Sequence, residues 1–532
     1  MGAESGADGF FGLVPEPFVL PTSSKNNISA FGDIASSSIP SSYDLRTTGK
    51  LTSVKNQGTT CGSCWAFATC GSLESSLLPD ESWNFSENNL KNNHGFNYTC
   101  CNGGNRAMST AYLARWDGPM LESDDPYDDS SCTSPTGLSP AKHVQDVVFI
   151  PNRTGSLDNS AIKTAVMTYG AIYTSFYYSS SYYKSANKAY YYSTATSSNH
   201  AVCIVGWDDN YSASKFSTTP GGNGAFIVRN SWGSGWGDSG YFYISYYDAN
   251  IGKENAAFFA ENPDNYDTQY GYDMLGPVVS YGSGSSTTAW FAMAFTADSS
   301  SVLRAVSWYS FADASTYELS IRASLPSSSS SGNPSSIQTG TISKMGYHTV
   351  PLDIPVQLAA GTKYYCVVKL TTPNNYYPVA VELPYADYST GATANTGETY
   401  FSLNGKSWTD FATVTYTYVH DDTTYSTQDL SACMKAFATH PIVAGISDVK
   451  AMADGAYVQL VGMVVSAVFG NCIYVAEPEF PSGIRVESSD ISSVSVGDSV
   501  TVTGKLGTHT SSGIPAEREI TLAIIKVKVV ID

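Results

Sequence analysis

The pattern of apolar and polar positions divides this 532-residue chain into a helix-rich part and a longer strand-rich part. From residue 39 to about 130, apolar residues at helical spacing predict helices, one beginning at Cys64 and another from Asn105 to Trp116. From Val147 to Ala260, short runs of β-branched and aromatic residues predict strands. We therefore expect an α+β domain over residues 39–262, with its helices ahead of its strands.

The remainder of the chain has an all-β pattern. Alternating apolar runs between Ser, Gly and Pro turns predict a β-sandwich over residues 263–440. About five further strand-like runs cover residues 445–532, and the turn Ser495–Asp498 that leads into Val500–Val502 is reminiscent of an OB-like β-barrel. The sequence thus predicts three domains after a short N-terminal segment, residues 1–38.

Cys64 is the first candidate for chemistry. It stands where a Gly/Ser-rich turn meets the first predicted helix, so its thiol faces unsatisfied backbone N–H groups and the positive end of the helix dipole. Both effects favour the thiolate and predict a lowered pKa for Cys64. Upstream, the Gln57 amide and the backbone N–H of Cys64 form the kind of donor pair that an oxyanion requires. The alternative for Cys64 is a buried or disulfide-bonded structural cysteine.

Two later stretches supply matching groups. His200 stands at the start of a strand-like run, and Asn230 stands at the end of another. An imidazole can pair with a thiolate and later protonate a leaving amine, while an amide oxygen holds the ring in its productive tautomer. A single His or Asn beside a strand is usually structural, so the prediction rests on Cys64, His200 and Asn230 occurring together in this order.

Four motifs carry a family resemblance. Cys61–Trp65 matches the signature C-G-[SA]-C-[WY] of papain-type peptidases in full. Ile39–Arg46 resembles the start of the mature enzyme, Cys101–Gly104 its substrate-binding glycine motif and Asp125–Tyr127 its Tyr-Pro-Tyr region. Residues from about 39 to 260 therefore resemble a papain-family cysteine peptidase, which implies a helical lobe and a β-rich lobe with the cleft between them.

The spacing agrees with this resemblance in part. His200 follows Cys64 within the ~130–150 residues typical of the papain group, whereas Asn230 lies beyond that window. We assign much of the excess to an enlarged polar loop, Asp208–Gly224. The turn between Gln57 and Cys61 also carries one residue more than the usual pattern, which affects the expected placement of the Gln57 amide.

More narrowly, Gly12–Pro15, Met108–Trp116 and the region after residue 260 resemble a prokaryotic subfamily with an appended lectin-like domain. The resemblance implies that Gly103 and Gly104 pair with the substrate backbone, since residues without side chains allow close approach. The expected catalytic residues are Cys64, His200, Asn230 and Gln57, and the expected substrate-binding residues are Gly103, Gly104 and Trp232, with Trp232 shielding the His–Asn hydrogen bond. No metal or other cofactor is expected.

The chain has ten cysteines, and seven of them fall in the first 203 residues. The resemblance implies that Cys61 pairs with Cys101, and Cys100 with Cys132 is a second candidate bridge. An even count does not by itself establish connectivity. Two further cysteines are expected to be buried thiols: Cys70 and Cys203.

Charge and composition narrow the partners and the location. Lys and Arg number 28 against 47 Asp and Glu, a net charge of −19, which argues against a nucleic-acid or anionic-membrane partner. No run approaches the ~18 apolar residues of a transmembrane helix. Residues 1–12 lack the pattern of a signal peptide, and we expect a secreted or cell-surface monomer whose leader is absent from this chain.

Residues 1–38 are too short for the long helical prosegment that is common in papain-family proenzymes. The apolar, proline-rich stretch from 10 to 21 is expected to pack on the catalytic domain, because a proline-fixed segment loses little entropy on docking. Cleavage between about Phe31 and Ser42 is then expected to raise activity. The alternative is a segment that fills a structural groove and remains after activation.

The sequence therefore predicts an exported cysteine endopeptidase with a Cys-His-Asn acyl-enzyme mechanism. Its substrates are proteins or peptides, and its β modules serve attachment or glycan or substrate binding. One alternative is a transpeptidase or ligase that resolves the same acyl-enzyme with an amine. A second is a catalytically silent surface adhesin.

Overall fold

The computed structural model describes residues 11–17, 39–327, 333–478, 482–511 and 514–528. Within them, the part up to residue 261 has four α-helices: α1 (Cys64–Leu77), α2 (Glu87–Asn93), α3 (Arg106–Ala114) and α4 (Ser160–Tyr169). Its strands are β1 (Ser42–Asp44), β2 (His143–Ile150), β3 (Ile172–Phe176), β4 (Tyr183–Lys184), β5 (Ala189–Tyr190), β6 (His200–Asp208), β7 (Ala225–Arg229), β8 (Tyr241–Ser245) and β9 (Lys253–Glu261).

Helix α1 is the centre of this domain. Every residue from Cys64 to Ser75 is buried, as expected for a helix whose apolar and small residues surround it on all sides. The one charged residue in that stretch, Glu74, is paired with Lys55 at 3.0 Å, so the buried carboxylate has a counter-charge. Helix α1 packs against β3, β6 and β9, so its first residue lies at the junction of the helical and β-rich lobes.

The described part of the lectin-like region consists of strands and one short 3-10 helix, Phe411–Thr413, as its alternating pattern largely predicts. The strands are β10 (Thr268–Gly271), β11 (Val279–Tyr281), β12 (Thr288–Thr296), β13 (Ser301–Ser310), β14 (Ser315–Arg322), β15 (Ser336–Ile342), β16 (Gly346–Leu358), β17 (Lys363–Thr371), β18 (Val379–Glu382), β19 (Thr399–Ser402), β20 (Thr409–Asp410), β21 (Tyr416–His420), β22 (Thr423–Thr427), β23 (Ser431–Ala432) and β24 (Met434–Thr439).

One sheet runs through both the peptidase domain and the lectin-like region. Its strand order is β10-β24-β13-β16-β2-β9-β3-β6-β7-β8-β5-β4, with β1 also paired to β6. The junction is the antiparallel pairing of β16 with β2, at which Gly346 faces Val148. A Cβ on Gly346 would lie 1.9 Å from the Val147 carbonyl oxygen, and its φ is +147°, so the close approach requires glycine. The two regions are therefore joined by backbone hydrogen bonds.

The C-terminal region contains β25 (Ile442–Val443), α5 (Ile446–Ala451), β26 (Tyr457–Phe469), β27 (Cys472–Ala476), β28 (Gly483–Glu487), β29 (Ser499–Ser511) and β30 (Ile514–Val527). Strands β26, β27, β28, β30 and β29 pair in that order, and β29 pairs back to β26, which closes a five-stranded barrel. The structure thus has the predicted order of an α+β domain, a β-rich region and a small five-stranded barrel.

Candidate active site

The cleft brings Cys64 and His200 together from opposite walls. Cys64 is the first residue of α1, and His200 is the first residue of β6. The Cys64 Sγ accepts a hydrogen bond from the backbone N–H of Ala201 at 3.3 Å, so the thiol lies beside the start of β6. Both side chains are fully buried.

His200 is oriented by Asn230. Its Nε2 lies 2.8 Å from Asn230 Oδ1, which also accepts the backbone N–H of Ser231. Its Nδ1 has no hydrogen-bond partner among the described residues, which leaves that nitrogen for the Cys64 side of the cleft. The Trp232 ring stacks on the imidazole, with centroids 5.0 Å apart and planes 14° from parallel. Trp232 thereby covers the imidazole that Asn230 holds.

The titration of the Cys64 and His200 pair differs from the expectation. Burial raises the pKa of Cys64 to about 12, although backbone N–H groups oppose the shift. Burial also lowers the pKa of His200 to about 4, against the effect of its hydrogen bond to Asn230. The predicted lowering of the Cys64 pKa is therefore wrong for the covered site, because desolvation outweighs the helix N-terminus. Both groups are neutral near pH 7.

Gln57 lies beside Cys64 despite the longer turn. Its Oε1 accepts the Ser231 hydroxyl at 2.6 Å, which fixes the amide so that Nε2 points into the cleft. That Nε2 donates to the carbonyl oxygens of Phe11, at 3.1 Å, and Cys61, at 3.2 Å. The backbone N–H of Cys64 also donates to the Phe11 carbonyl, at 3.4 Å. The Phe11 carbonyl thus accepts hydrogen bonds from both members of the predicted oxyanion donor pair. Phe11 belongs to residues 11–17, the described part of the N-terminal segment.

The same segment lies along the glycine motif. Gly104 N–H donates to the Gly12 carbonyl at 2.9 Å, and Val14 N–H donates to the Gly104 carbonyl at 3.0 Å. Leu13 and Gly104 form a parallel bridge. A Cβ on Gly104 would lie 2.3 Å from the Trp65 ring, so glycine is required there for packing under the cleft as well as for access from above.

An aromatic cluster packs around Phe11, the first described residue, beside His200. The Phe11 ring lies 5.1 Å from the His200 ring, 5.3 Å from Trp232 and 5.5 Å from Tyr178, measured between centroids. Tyr178 belongs to the tyrosine-rich stretch from 176 to 192, and it also makes an edge contact with Trp232 at 4.9 Å. Phe11, itself only partly buried, thus packs against the imidazole of the fully buried His200.

Two disulfides brace the walls. Cys61 pairs with Cys101, which ties the turn before α1 to the glycine motif, and Cys100 pairs with Cys132. Cys70 and Cys203 are buried free thiols, as expected.

The residues that hold the far end of the segment, at Pro15 and Glu16, were not predicted from the sequence. Arg106, at the start of α3, binds Glu16, and Asn105 Nδ2 donates to the Pro15 carbonyl at 3.3 Å. Asn105 in turn accepts a hydrogen bond from Tyr388 of the lectin-like region at 3.1 Å. The signal available in the sequence was a lone arginine, two residues after the end of the glycine motif.

A cysteine at the N-terminus of a buried helix, facing a His–Asn pair within an α+β domain, defines the class of papain-like cysteine peptidases. Residues 39–260 match the papain family of cysteine proteases, and residues 269–438 match the lectin-like domain family. The chain therefore contains a papain-family peptidase domain, followed by a lectin-like domain.

Particular relatives make the similarity concrete. The chain is 36% identical over 224 residues to mouse pro-cathepsin H, covering 38% of this chain and 60% of that protein. It is 34% identical over 219 residues to mouse procathepsin L, covering 39% of this chain and 60% of that protein. The chain thus spans about 60% of the length of these curated relatives.

Solved structures extend the similarity beyond the peptidase domain. A clostridial cysteine protease, Cwp84, determined after propeptide cleavage, shares 28% identity at a TM-score of 0.63, covering 75% of this chain and 100% of that one. A second structure contains the cysteine protease and lectin-like domains of Cwp84, a surface layer associated protein of Clostridium difficile. It shares 26% identity at a TM-score of 0.64, covering 81% of this chain and 93% of that one.

Proposed function

We propose that this protein is a cysteine endopeptidase that hydrolyses peptide bonds through an acyl-enzyme on Cys64. The observation that carries the proposal is the Phe11 carbonyl, which accepts hydrogen bonds from Cys64 N–H and Gln57 Nε2. These two donors surround a peptide carbonyl beside the thiol, where an oxyanion would form during attack. The His200–Asn230 pair lies on the other side of the thiol.

In the proposed mechanism, His200 Nδ1 takes the proton of the Cys64 thiol, and the thiolate attacks the substrate carbonyl carbon. Gln57 and the Cys64 N–H stabilise the oxyanion. The imidazolium then protonates the leaving amine as the C–N bond breaks and the thioester forms. Water, deprotonated by His200, hydrolyses the thioester and regenerates the thiol. Asn230 keeps Nδ1 directed at the sulfur throughout, because it holds the opposite ring nitrogen.

We further propose that residues 11–17 inhibit the peptidase by lying in the cleft in the opposite direction to a substrate. A productive substrate places its leaving amine next to His200. The chain instead continues from the Phe11 carbonyl to Gly12 and pairs with Gly104, away from the imidazole. The amine that attack would release therefore has no proton donor, and the segment resists cleavage while it covers the thiol.

Product analysis separates the proposed hydrolysis from the two alternatives. A peptide library digested by the chain beginning at Ile39 should yield free carboxylates at new C-termini, detected by mass spectrometry. An added amine nucleophile should not become the main acceptor; if it does, the protein is a transpeptidase. A catalytically silent adhesin would release no products with or without the amine.

The pKa shifts predict how the thiol reacts with pH. In the intact chain, the pKa of Cys64 is raised to about 12, so alkylation by iodoacetamide should be slow at pH 6–8 and should rise as pH increases. Removing the segment re-exposes the helix N-terminus and lets His200 protonate, so alkylation should become fast near neutral pH and hydrolysis should follow a bell-shaped profile. Peptide mapping would measure the rate at Cys64. Equal rates in the two proteins would contradict the neutral, covered pair.

We infer that the protein acts outside the cytoplasm, secreted or at the cell surface. Two disulfides and the similarity to a surface layer associated protein support this inference. In the part of the chain that the structure describes, no helix is both long and apolar enough to cross a membrane. Glycan binding by the lectin-like domain and a monomeric state stay predictions. For glycan binding, the half-exposed side chains of Tyr376 and Tyr377 form an aromatic surface on which a sugar could stack.

A further inference from the structure

Arg106 is a buried cation whose main partner belongs to the N-terminal segment. It begins α3, two residues after Gly104, and is 1% exposed. Its Nε donates to Glu16 Oε1 at 2.9 Å and its Nη2 to Glu16 Oε2 at 2.6 Å, the geometry of a bidentate arginine–carboxylate pair. The remaining Nη1 donates to the Asn255 carbonyl at 3.1 Å, and the guanidinium lies 4.3 Å from the centre of the Phe149 ring.

A second carboxyl group stands close to this pair. Burial, and next the charge of Glu16, raise the pKa of Glu254, while Arg106 and Lys253 oppose the shift. Its Oε2 has no hydrogen-bond partner among the described residues, and Ser175 bonds to the side chain. The site thus holds two carboxyl groups for one guanidinium, and Arg106 binds the carboxylate that comes from the segment.

When the segment leaves the cleft, Arg106 loses its bidentate partner at a position that is otherwise walled by protein. A buried charge left without its partner is costly, so an incoming carboxylate gains from the same geometry. Resting on the proposed peptidase function, we propose that Arg106 forms a subsite that selects an acidic side chain, Glu or Asp, in the peptide substrate.

The direction in which a substrate lies in the cleft places its acidic side chain upstream of the scissile bond. The leaving amine of a substrate lies by His200, so the residues before the scissile carbonyl lie along Gly104 and continue towards α3. Leu13 occupies the position that pairs with Gly104, and Glu16 lies three residues further along the segment. Because a substrate runs the other way, the acidic residue falls between the second and fifth positions upstream of the cleaved bond.

The lectin-like region helps to hold this subsite. Tyr388 donates to Asn105 Oδ1, and Asn105 Nδ2 donates to the segment backbone at Pro15. The backbone N–H of Asn97 donates to the Tyr388 carbonyl, and the side chains of Asn97 and Thr390 are also bonded. Asn105 and Tyr388 are therefore positioning residues for a peptide that reaches Arg106.

The test uses the chain beginning at Ile39 and matched peptides that carry Glu or Gln at each of the second to fifth upstream positions. At one position, kcat/KM should favour Glu by about 10- to 100-fold, the range expected when a hydrogen bond involves a charged group. The preference should fall as pH decreases through about 4.3, where the substrate carboxylate protonates. Arg106→Met should bring the Glu/Gln ratio close to one, whereas Arg115→Met, at the other end of α3, should keep it.

The outcomes are distinguishable. Hydrolysis of the Glu and Gln peptides at equal rates at all four positions by the wild-type chain overturns the acidic subsite and leaves the peptidase proposal standing. A wild-type chain inactive on every peptide contradicts the peptidase proposal itself. If Arg106→Met does not fold, the Glu/Gln ratio and its pH dependence in the wild-type chain still decide the question.

Discussion

We expect Cys64→Ala to reduce peptide hydrolysis by the chain beginning at Ile39 by about 10⁴-fold or more, since removing the nucleophile removes the acyl-enzyme route. His200→Ala should have a similar effect. The double variant should be hardly worse than either single variant, because a nucleophile and its base act as a unit. The measurement is kcat on one short peptide, at a pH where the wild-type chain is most active.

Cys366→Ala is the matched control for this experiment. Cys366 is another fully buried free thiol, and it lies in β17 of the lectin-like region, outside the cleft. It should keep near-normal kcat, which would separate loss of chemistry from loss of a buried sulfur. Turnover by a purified Cys64→Ala protein at the wild-type rate would refute the acyl-enzyme mechanism.

Local sequence signals were sufficient to predict the parts of the site that depend on short motifs. The Cys61–Trp65 signature places a cysteine at a helix start, and the structure begins α1 at Cys64. His200 and Asn230 were predicted at strand ends and lie at the beginning of β6 and just after β7. The prediction rests on the order and type of these residues. It succeeds because each residue is positioned by the helix or strand next to it.

The features that the sequence did not predict depend on contacts between distant residues. The pairing of β16 with β2 requires Gly346 to approach Val147, and no local pattern reports that contact. The raised pKa of Cys64 depends on the complete burial of its thiol by the tertiary fold, whereas the helix N-terminus alone predicts the opposite direction. The Glu16–Arg106 pair likewise joins residues far apart in the chain.

Gly12→Ala in the intact chain is expected to raise peptidase activity by roughly tenfold or more without any cleavage. Gly12 has a φ of +110°, and a Cβ there would lie 2.0 Å from the Gly62 carbonyl carbon, which is rigid backbone beside Cys64. Alanine at an incompatible positive φ costs about 1 kcal/mol or more, and the clash adds to this. Each ~1.4 kcal/mol shifts the docking equilibrium tenfold towards the open cleft.

Gly12→Ala weakens the docking of the segment in the cleft without the other consequences of removing the segment. Leu13 and Val14 are almost completely buried against the peptidase domain, so truncation also exposes core surface, whereas Gly12→Ala keeps both side chains in the chain.

Gly49→Ala is the control, because Gly49 also has a positive φ, +73°, but its Cβ would meet nothing within 4 Å. It carries the backbone strain without the clash and should leave activity low. Mass spectrometry must show intact N-termini in every sample. Equal kcat/KM for Gly12→Ala, the wild-type chain and the chain beginning at Ile39 would show that the segment fills a structural groove and does not inhibit.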